Sequence, residues 1–141
     1  MDQVKDLMTT NVVTIRTVDT LREAIRMMSA GRFRRIPVVR EGTLVGIVTD
    51  RDIRQALNSP VVIRERSADE YLLDSVTVGS SMTNNPLTTS PEDDILKAAE
   101  IMERNKIGGL PVVDGGRLVG IITISDLMNY LIRHLRGERS G

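Results

Sequence analysis

The hydrophobic and polar positions of this chain follow one order twice. In each half a short apolar segment precedes a helical spacing of apolar residues, two β-rich runs follow, and a second helical pattern ends the series. The predicted first strands are residues 12–15 (VVTI) and 86–89 (PLTT). The helical stripes after them consist of Leu21, Ala24, Ile25 and Met28 and of Ile95, Ala98, Ala99 and Met102. Each half therefore predicts the order strand, helix, strand, strand, helix.

The two later strands of each half are predicted from the runs RIPVV and GLPVV and from the runs LVGIVT and LVGIIT. Because proline has no N–H to donate to a sheet, Pro37 and Pro111 indicate a strand start or a sheet edge. A glycine turn separates the two strands. The second run is apolar almost throughout, which is typical of a strand covered on both faces.

Capping residues predict where the helices begin. The segment Ser90-Pro91-Glu92-Asp93 offers a cap, a proline for the first helical position and acids near the positive end of the helix dipole. The closing helices should begin at Asp50 and Ser125. Between the halves, SADEYLLDSV predicts a short helix capped by Ser67.

Shifting the sequence by 74 positions shows that the two halves are copies of one unit. Residues 4–57 align with residues 78–131 without a gap, and 19 of these 54 positions are identical. The chain is therefore an internal duplication. We expect repeats at residues 1–58 and 78–135, a linker with a short helix at 59–77 and a polar tail at 136–141.

Composition and charge exclude several classes of protein. The 141 residues carry 19 basic and 19 acidic side chains, and the only aromatic residues are Phe33, Tyr71 and Tyr130. A nucleic-acid-binding surface would require a basic face and, for single strands, stacking aromatics, so we expect no nucleic-acid partner. No apolar run approaches the length of a membrane span, there is no cysteine, and no secretory signal is evident. We expect a cytoplasmic protein that does not bind membranes.

Catalytic residue sets are missing from the sequence. His134 is the only histidine and lies near the end of the chain, where a surface position is expected. Neither a Ser/His/Asp set, nor a metal-spaced His/Cys cluster, nor a phosphate-binding GxxxxGK[ST] loop occurs. The sequence therefore predicts no enzyme, no catalytic residue, no metal site and no cofactor. Four methionines are expected to fill the core: Met27, Met28, Met102 and Met128.

The repeated motifs resemble the cystathionine-β-synthase (CBS) domain. They are Met-Thr before the first strand, PVV, LVGI(V/I)T, and an aspartate three residues after the threonine. Two such repeats resemble the CBS pair, or Bateman module, and the linker resembles that of acetoin-utilisation proteins, many of which continue into an ACT domain. The resemblance implies an α/β (α+β) fold in which two β-α-β-β-α repeats pack as a pseudo-twofold pair. It also implies a flat dimer and two clefts between the repeats that bind AMP, ADP, ATP or S-adenosylmethionine, so that the module regulates a partner by sensing cellular energy or another metabolite.

The threonine and aspartate that recur in register are the candidate ribose sites: Thr49 with Asp52, and Thr123 with Asp126. A carboxylate in the first helical turn can accept hydrogen bonds from two ribose hydroxyls, and the helix N-terminus suits phosphate oxygens. A single T-x-x-D is explained more simply as a helix cap. Its recurrence behind the same strand favours the ribose site.

The two sites should differ at the phosphate. By the family pattern, the residues two and three before the proline of PVV face the phosphates; these are Arg34 and Arg35 in the first repeat and Gly108 and Gly109 in the second. Guanidinium suits phosphate, although surface charge explains the arginines equally well. Adenine should lie against Val13 and Phe33 at the Asp126 cleft and against Leu87 and Ile107 at the Asp52 cleft. We expect all four to be core residues first of all.

Two functions remain open at this point. One is a regulatory module that binds an adenosine-containing nucleotide and signals through dimer geometry. The alternative is a dimerisation or protein-interaction scaffold that binds no physiological nucleotide. A homodimer is expected in either case, because the last helix presents Leu127, Tyr130, Leu131 and Leu135 at helical spacing.

Overall fold

The computed structural model describes residues 2–57 and 66–137, which form two compact units. Residues 13–86 make up the first, here called the continuous unit. Residues 1–12 and 87–141 make up the second, here called the composite unit because it is built from two separate stretches of chain. Each unit combines helices with an antiparallel hairpin.

The bounds of the elements follow the duplication. The helices are α1 (Val4–Leu7), α2 (Leu21–Gly31), α3 (Asp50–Leu57), α4 (Arg66–Ser75), α5 (Val78–Ser81), α6 (Ile95–Asn105) and α7 (Ile124–Leu135). The strands are β1 (Arg35–Arg40), β2 (Thr43–Thr49), β3 (Thr83–Asn84), β4 (Gly109–Asp114) and β5 (Arg117–Thr123).

The strands of the two hairpins pair in the same register. β1 pairs with β2 so that Arg35 lies opposite Thr49, and β4 pairs with β5 so that Gly109 lies opposite Thr123. In each unit the turn uses two residues with positive φ, Glu41-Gly42 and Gly115-Gly116, as a two-residue hairpin turn requires. The predicted glycine turn and both pairs of strands are confirmed.

Of the two predictions made from Pro37 and Pro111, a strand start or a sheet edge, one is confirmed. Pro37 and Pro111 are the third residues of β1 and β4, so the predicted strand start is wrong. Within its unit each strand pairs with a full strand on one side only, β1 with β2 and β4 with β5, and has a single bridge on the other side, so the predicted edge is confirmed. The carbonyl of Pro37 accepts the Ile15 N–H at 3.1 Å, so the missing proline N–H lies on the side of β1 that faces Ile15 and not on the side paired with β2.

Each unit receives its lead-in segment from the beginning of the other repeat. In the continuous unit β3 pairs with β2, and Thr83 lies opposite Ile47. In the composite unit Thr9 and Ile121 exchange backbone hydrogen bonds of 2.8 and 2.9 Å. The Met-Thr segment near the beginning of each repeat thus packs on a strand of the other repeat. The compact units consequently differ from the sequence repeats by these exchanged segments.

Glycine permits this close approach. A Cβ on Gly46 would lie 2.6 Å from the Met82 sulfur and 2.9 Å from the Thr83 carbonyl oxygen. A Cβ on Gly120 would lie 2.7 Å from the Met8 sulfur and 2.9 Å from the carbonyl oxygen of the threonine after it. The glycine of each LVGI run is therefore required by the segment that crosses it.

The core of each unit is formed by matching apolar residues. In the continuous unit it includes Leu21, Ala24, Met28, Ile36, Val38 and Val48. In the composite unit it includes Ile95, Ala98, Met102, Leu110, Val112 and Ile122. Most of the predicted helical stripes are confirmed, whereas Ile25 is partly exposed.

Several predicted boundaries are wrong. The first strands at 12–15 and 86–89 reduce to single parallel bridges at Ile15 and Thr89, because too few residues run beside β1 and β4 to form a ladder. Helix α6 begins at Ile95, since residues 90–93 form a turn in which the Asp93 carboxylate accepts the Ser90 N–H at 2.8 Å. Helix α7 begins at Ile124, one residue before Ser125.

The remaining corrections concern single residues. Helix α4 begins at Arg66, so Ser67 lies inside it and is not its cap. Met128 is 50% exposed and does not fill the core, whereas Met28 and Met102 are buried. The expected linker residues 59–65 and tail residues 138–141 lie outside the described residues.

Candidate functional site

In the continuous unit, the threonine and aspartate of the motif form a capping box. Thr49 ends β2, and α3 begins at the next residue. The Asp52 N–H donates to Thr49 Oγ1 at 3.1 Å, and Asp52 Oδ2 accepts the Thr49 N–H at 2.9 Å. Each side chain thus satisfies a backbone donor that the helix start leaves without a partner.

Thr83 adds a second donor to this carboxylate. Its hydroxyl lies 3.2 Å from Asp52 Oδ1 and 3.3 Å from Oδ2. Thr83 comes from β3, which the duplication places beside β2. Both oxygens of Asp52 therefore have a protein donor before a ligand binds.

Among the residues that the structure describes, the matching carboxylate of the composite unit accepts hydrogen bonds through only one of its oxygens. Asp126 Oδ2 accepts the Thr123 N–H at 2.8 Å and the Thr123 hydroxyl at 3.1 Å, and the Asp126 N–H donates to the same hydroxyl at 3.4 Å. Within residues 2–57 and 66–137, no donor lies within hydrogen-bond distance of Asp126 Oδ1. The cap holds this half-buried carboxylate in place, and one of its oxygens stays available.

A concave region borders Asp126 in the composite unit. Its volume is about 400 Å³, and its other lining residues come from α1 and from α7 and the residue after it. These are Asp6, Leu7, Asn129, Ile132, Arg133 and Arg136. The region is therefore polar and carries both signs of charge.

Thr83 and its counterpart Thr9 are not among the predicted site residues. Their residue pairs, Met8-Thr9 and Met82-Thr83, recur at the same offset as the strands and the aspartates. That recurrence was the available signal. It did not indicate that the threonine of one repeat contacts the aspartate of the other, because local patterns carry no information on long-range pairing.

Arg34 and Arg35 lie at the start of β1, next to the start of α3. The Arg34 carbonyl accepts the Asp50 N–H at 3.0 Å, which fixes this junction. Arg34 is exposed and Arg35 is half-buried. In the described part of the chain, neither guanidinium lies within ion-pair distance of a carboxylate.

Burial is the main influence on Arg35. It lowers the pKa of the guanidinium from its ordinary value; the nearby Asp50 carboxylate opposes this, and Arg34 adds to it. Arginine remains charged under these conditions. Two positive charges that form no ion pair with a described residue therefore stand at this end of the continuous unit, with Asp50 nearby.

The composite unit carries no side chain at the matching place. Gly108 and Gly109 precede the corresponding proline, and the Gly108 carbonyl accepts the Ile124 N–H at 3.0 Å. The junction of strand and helix is thus built in the same way in both units. Only the guanidinium groups are absent.

The four residues predicted to contact adenine fall into two pairs. Val13 and Leu87 are 47% and 48% exposed, so the expectation that they are core residues is wrong. Phe33 packs against the core of the continuous unit, and Ile107 packs against that of the composite unit. Their predicted contacts with adenine stay predictions.

Other kinds of site find no support in residues 2–57 and 66–137. No group of three or more His, Asp or Glu side chains there is arranged to hold a metal ion. No helix in the same residues has the length and apolar character needed to span a bilayer. His134 is exposed, as predicted, and stacks on Tyr130 with ring centroids 5.8 Å apart.

Comparison with protein families gives one clear match. The model of the CBS domain matches residues 4–59 and again residues 76–133. A CBS domain-containing protein of Dictyostelium discoideum is 40% identical over 134 residues, which is 94% of this chain and 92% of that protein.

Three solved structures have a similar fold. A putative acetoin utilization protein (AcuB) from Vibrio cholerae is 31% identical, with a TM-score of 0.82 over 96% of this chain and 94% of that one. The CBS domain pair of protein MJ0100, in complex with 5′-methylthioadenosine and S-adenosyl-L-methionine, is 28% identical, with a TM-score of 0.79 over 95% and 98%. CBSX2 in complex with AMP is 25% identical, with a TM-score of 0.80 over 96% and 99%.

Proposed function

This chain belongs to the CBS-domain family and contains the domain twice, and on that premise we propose that it is a regulatory module that senses an adenosine-containing ligand. The candidate ligands are AMP, ADP, ATP and S-adenosylmethionine. Two proteins of the same fold are described in complex with AMP or with S-adenosylmethionine and methylthioadenosine. The proposed role is binding and signalling, without catalysis and without a cofactor.

The observation that carries this proposal is the carboxylate of Asp126. Its Oδ2 is held by the cap, and Oδ1 has no donor among the described residues. An ionised oxygen in this state can accept both hydroxyls of a ribose, and such charge-assisted bonds are the stronger kind. The concave region of about 400 Å³ beside it falls within the usual range of small-molecule sites.

The Asp52 site is proposed to favour phosphorylated ligands. Arg34 and Arg35 stand in the same unit as Asp52, and neither forms an ion pair within residues 2–57 and 66–137. A guanidinium binds phosphate through two parallel N–H groups, so each arginine can add affinity for a nucleotide over a nucleoside. The Asp126 site has Gly108 and Gly109 at these positions and should distinguish less between adenosine and AMP.

The proposed adenine contacts are apolar and come from partly exposed residues. Val13 and Leu87 each expose about half of their surface, which leaves an aliphatic face available to a purine. Phe33 and Ile107 lie beside the glycine or arginine pairs in the sequence. Thr49 and Thr123 complete the proposed set as the caps that hold the two carboxylates.

Calorimetry tests the binding proposal directly. AMP, adenosine and S-adenosylmethionine are titrated into the wild-type protein and into the double variant Asp52→Ala/Asp126→Ala. We expect at least one ligand to bind the wild type and affinity to fall in the double variant. Wild-type protein that binds none of the three, with no thermal shift from ATP or ADP, would contradict the proposal.

A scaffold without a physiological nucleotide is the second candidate. The observation in its favour is the exposed apolar surface of α7, where Ile124, Met128, Leu131 and Leu135 are each at least 46% exposed. Neighbouring exposed apolar side chains are typical of interaction sites. We propose a homodimer under either candidate, and light scattering that gives a particle near the 15.6 kDa of one chain would reject it.

The proposed location is the cytoplasm. Adenine nucleotides and S-adenosylmethionine are made and consumed there, so a sensor of either would have to meet them in that compartment. Cell fractionation with an antibody against the chain tests this, and recovery only with an extracytoplasmic fraction would refute it.

A further inference from the structure

The two candidate ribose carboxylates differ in which hydroxyl donates to them. In the composite unit the donor is Thr123, which belongs to the cap and donates to Asp126 Oδ2 at 3.1 Å. In the continuous unit the donor is Thr83, whose hydroxyl lies 3.2 Å from Asp52 Oδ1 and 3.3 Å from Oδ2. One carboxylate is thus bonded by its own helix start, and the other by a segment 31 positions away.

The Thr83 hydroxyl faces both oxygens of the Asp52 carboxylate at once, because it lies at nearly equal distances from them. An ionised carboxylate can only accept hydrogen bonds, so Thr83 must be the donor in this contact. The two neighbouring hydroxyls of a ribose would approach the same two oxygens, with one hydroxyl at each. Thr83 therefore occupies the place that a ribose requires.

The register of β3 holds Thr83 in this place. Thr83 pairs opposite Ile47 on β2, and Thr49 is two residues further along that strand. Residues opposite each other, and residues two apart on one strand, share a face of the sheet, so Thr83 lies on the face of Thr49. A second pair, Asn84 with Gly46, fixes the segment next to this position. The contact with the carboxylate is therefore built into the backbone pairing.

The matching segment of the composite unit leaves its carboxylate open. Among the described residues, Thr9 lies opposite Ile121 in the equivalent register as an isolated bridge. Within that part of the chain, the hydrogen bonds to the Asp126 carboxylate all come from Thr123 and all go to Oδ2. Asp126 Oδ1 thus keeps its lone pairs for a ligand.

We propose that Thr83 competes with ribose for the Asp52 carboxylate and thereby sets the order in which the two sites fill. A ligand at Asp52 must displace the Thr83 hydroxyl, whereas a ligand at Asp126 finds Oδ1 open. The ribose of a given ligand should therefore bind more tightly at the Asp126 site. This inference rests on the proposed function, since it concerns the same two ribose sites.

The competition makes the Asp52 site depend on the phosphate of its ligand. Thr83 lowers the affinity for the ribose, which adenosine and AMP share. Arg34 and Arg35 raise the affinity for the phosphate, which only AMP carries. Adenosine should therefore occupy the Asp52 site less than the Asp126 site, and AMP should recover much of the difference.

Thr83→Val tests the proposal, because it removes the competing hydroxyl and nearly keeps the shape of the side chain. In the Asp126→Ala background, calorimetry measures the Asp52 site alone. We expect the affinities for adenosine and for AMP to rise by the same factor, about fivefold, since both ligands carry the ribose and one hydrogen bond no longer has to be broken. Thr83→Ser keeps the hydroxyl and should bind both ligands as its parent does.

A matched control uses the other lead-in segment. Thr9→Val in the wild-type background should leave the affinities of both sites unchanged, whereas Thr83→Val in that background should raise the affinity of the weaker adenosine site only. This arm keeps the test valid if Asp126→Ala lowers the stability of the protein. An equal gain in Thr9→Val and Thr83→Val would overturn the proposal.

The direction of the effect separates competition from a structural role. A threonine that only supports the fold or the ligand would give lower or equal affinity when its hydrogen bond is removed. Thr83→Val combined with Asp52→Ala should unfold in urea like Asp52→Ala alone, because the hydroxyl has then lost its acceptor. Affinity that falls or stays the same in Thr83→Val overturns the proposal, as does a gain for AMP without a gain for adenosine.

Failure of this inference and failure of the proposed function give different results. S-adenosylmethionine is titrated beside adenosine and AMP, since it carries the same ribose. If any of the three binds the wild type but binds Thr83→Val no more tightly, the competition is rejected and the ligand proposal stands. If none of the three binds either protein, both proposals are rejected.

Discussion

Arg34 and Arg35 open β1 of the continuous unit, and Gly108 and the glycine after it occupy the same places in the composite unit. The backbone hydrogen bond at this place is the same in both units. The Arg34 carbonyl accepts the N–H of the first residue of α3, and the Gly108 carbonyl accepts that of the first residue of α7, each at 3.0 Å. The aspartates differ too, since Thr83 donates to Asp52 and no described donor reaches Asp126 Oδ1. The two candidate sites thus share one backbone arrangement but present different side chains to a ligand.

The comparison separates what the backbone requires from what it allows. Gly46 and Gly120 are identical because a Cβ at either would strike a crossing segment. The threonine–aspartate pairs are identical because each begins a helix with a reciprocal cap. Positions without such a requirement, such as Arg22 and Leu96, have diverged in charge. The divergent positions are therefore where the two units can acquire separate roles.

The largest effect is expected where the units are alike. Gly46→Ala and Gly120→Ala each force a Cβ to within 2.9 Å of a backbone carbonyl oxygen, so the crossing segment must shift. We expect each to lower the free energy of unfolding by about 3 kcal/mol, the upper part of the range for overpacked sites. Urea denaturation measures both. A large loss in one variant only would show that the crossings are not equivalent.

The aspartates should separate the two sites. Asp126→Ala and Asp52→Ala each remove a charged acceptor for ribose, worth roughly 1.5–3 kcal/mol or about 10- to 150-fold in affinity. Calorimetry with adenosine should show the loss of one site in each variant. Asp126→Asn and Asp52→Asn, which keep an oxygen for the cap, serve as fold controls. Unchanged affinity and stoichiometry in both alanine variants would remove the ribose assignment.

Arg35 sharpens the difference at the phosphate. Arg35→Ala should lower AMP affinity by about 1–2 kcal/mol, since water reaches part of the guanidinium, and should spare adenosine. The loss should shrink as salt increases. Arg40→Ala, an exposed arginine at the other end of β1, is the matched control. Repeating the titration in the Asp52→Ala and Asp126→Ala backgrounds locates the effect, and a stronger phosphate preference at the Asp126 site would reverse our assignment.

The smallest effect concerns the threonines of the crossing segments. Thr83→Val removes the exposed hydrogen bond to Asp52 and should cost about 1 kcal/mol of unfolding free energy. Thr9→Val is the matched change in the composite unit, where no described bond to Asp126 is lost, and should cost close to nothing. Equal unfolding curves for the two variants would contradict the structural difference between the aspartates.

Much of the fold could be predicted because its signals are local. The proline strands, the glycine turns and the LVGI runs each specify their own backbone, and the predicted family, with its likeness to the acetoin-utilisation type, is confirmed. The short helices α1 and α5 were missed, since four residues are too few to show a period. Asp93 was assigned to a helix that begins at Ile95, because the same residues also favour a turn.

In the candidate site too, local contacts could be predicted from the sequence and long-range contacts could not. The reciprocal bonds within Thr49–Asp52 and Thr123–Asp126 follow from a three-residue spacing, so the sequence could indicate them. The contact from Thr83 to Asp52 spans 31 positions and depends on the exchanged segment. No local pattern carries that information. The predicted ligand contacts of Arg34 and Arg35 stay predictions.

The exchanged lead-in segment also determines when each unit can be completed during synthesis. All residues of the continuous unit, 13–86, leave the ribosome as one stretch, so its contacts can form early. The backbone hydrogen bonds of Thr9 cannot form until Ile121, 112 positions later, has been made. Likewise, the N–H of Val4 has no partner until the carbonyl of Asp93 is available. Closing so long a loop costs entropy before any contact repays it, which slows folding. Residues 4–9 thus reach their partners only after residues 13–86 and most of the second repeat have been made, and until then the apolar side chain of Met8 stays uncovered and open to capture by chaperones or by other nascent chains.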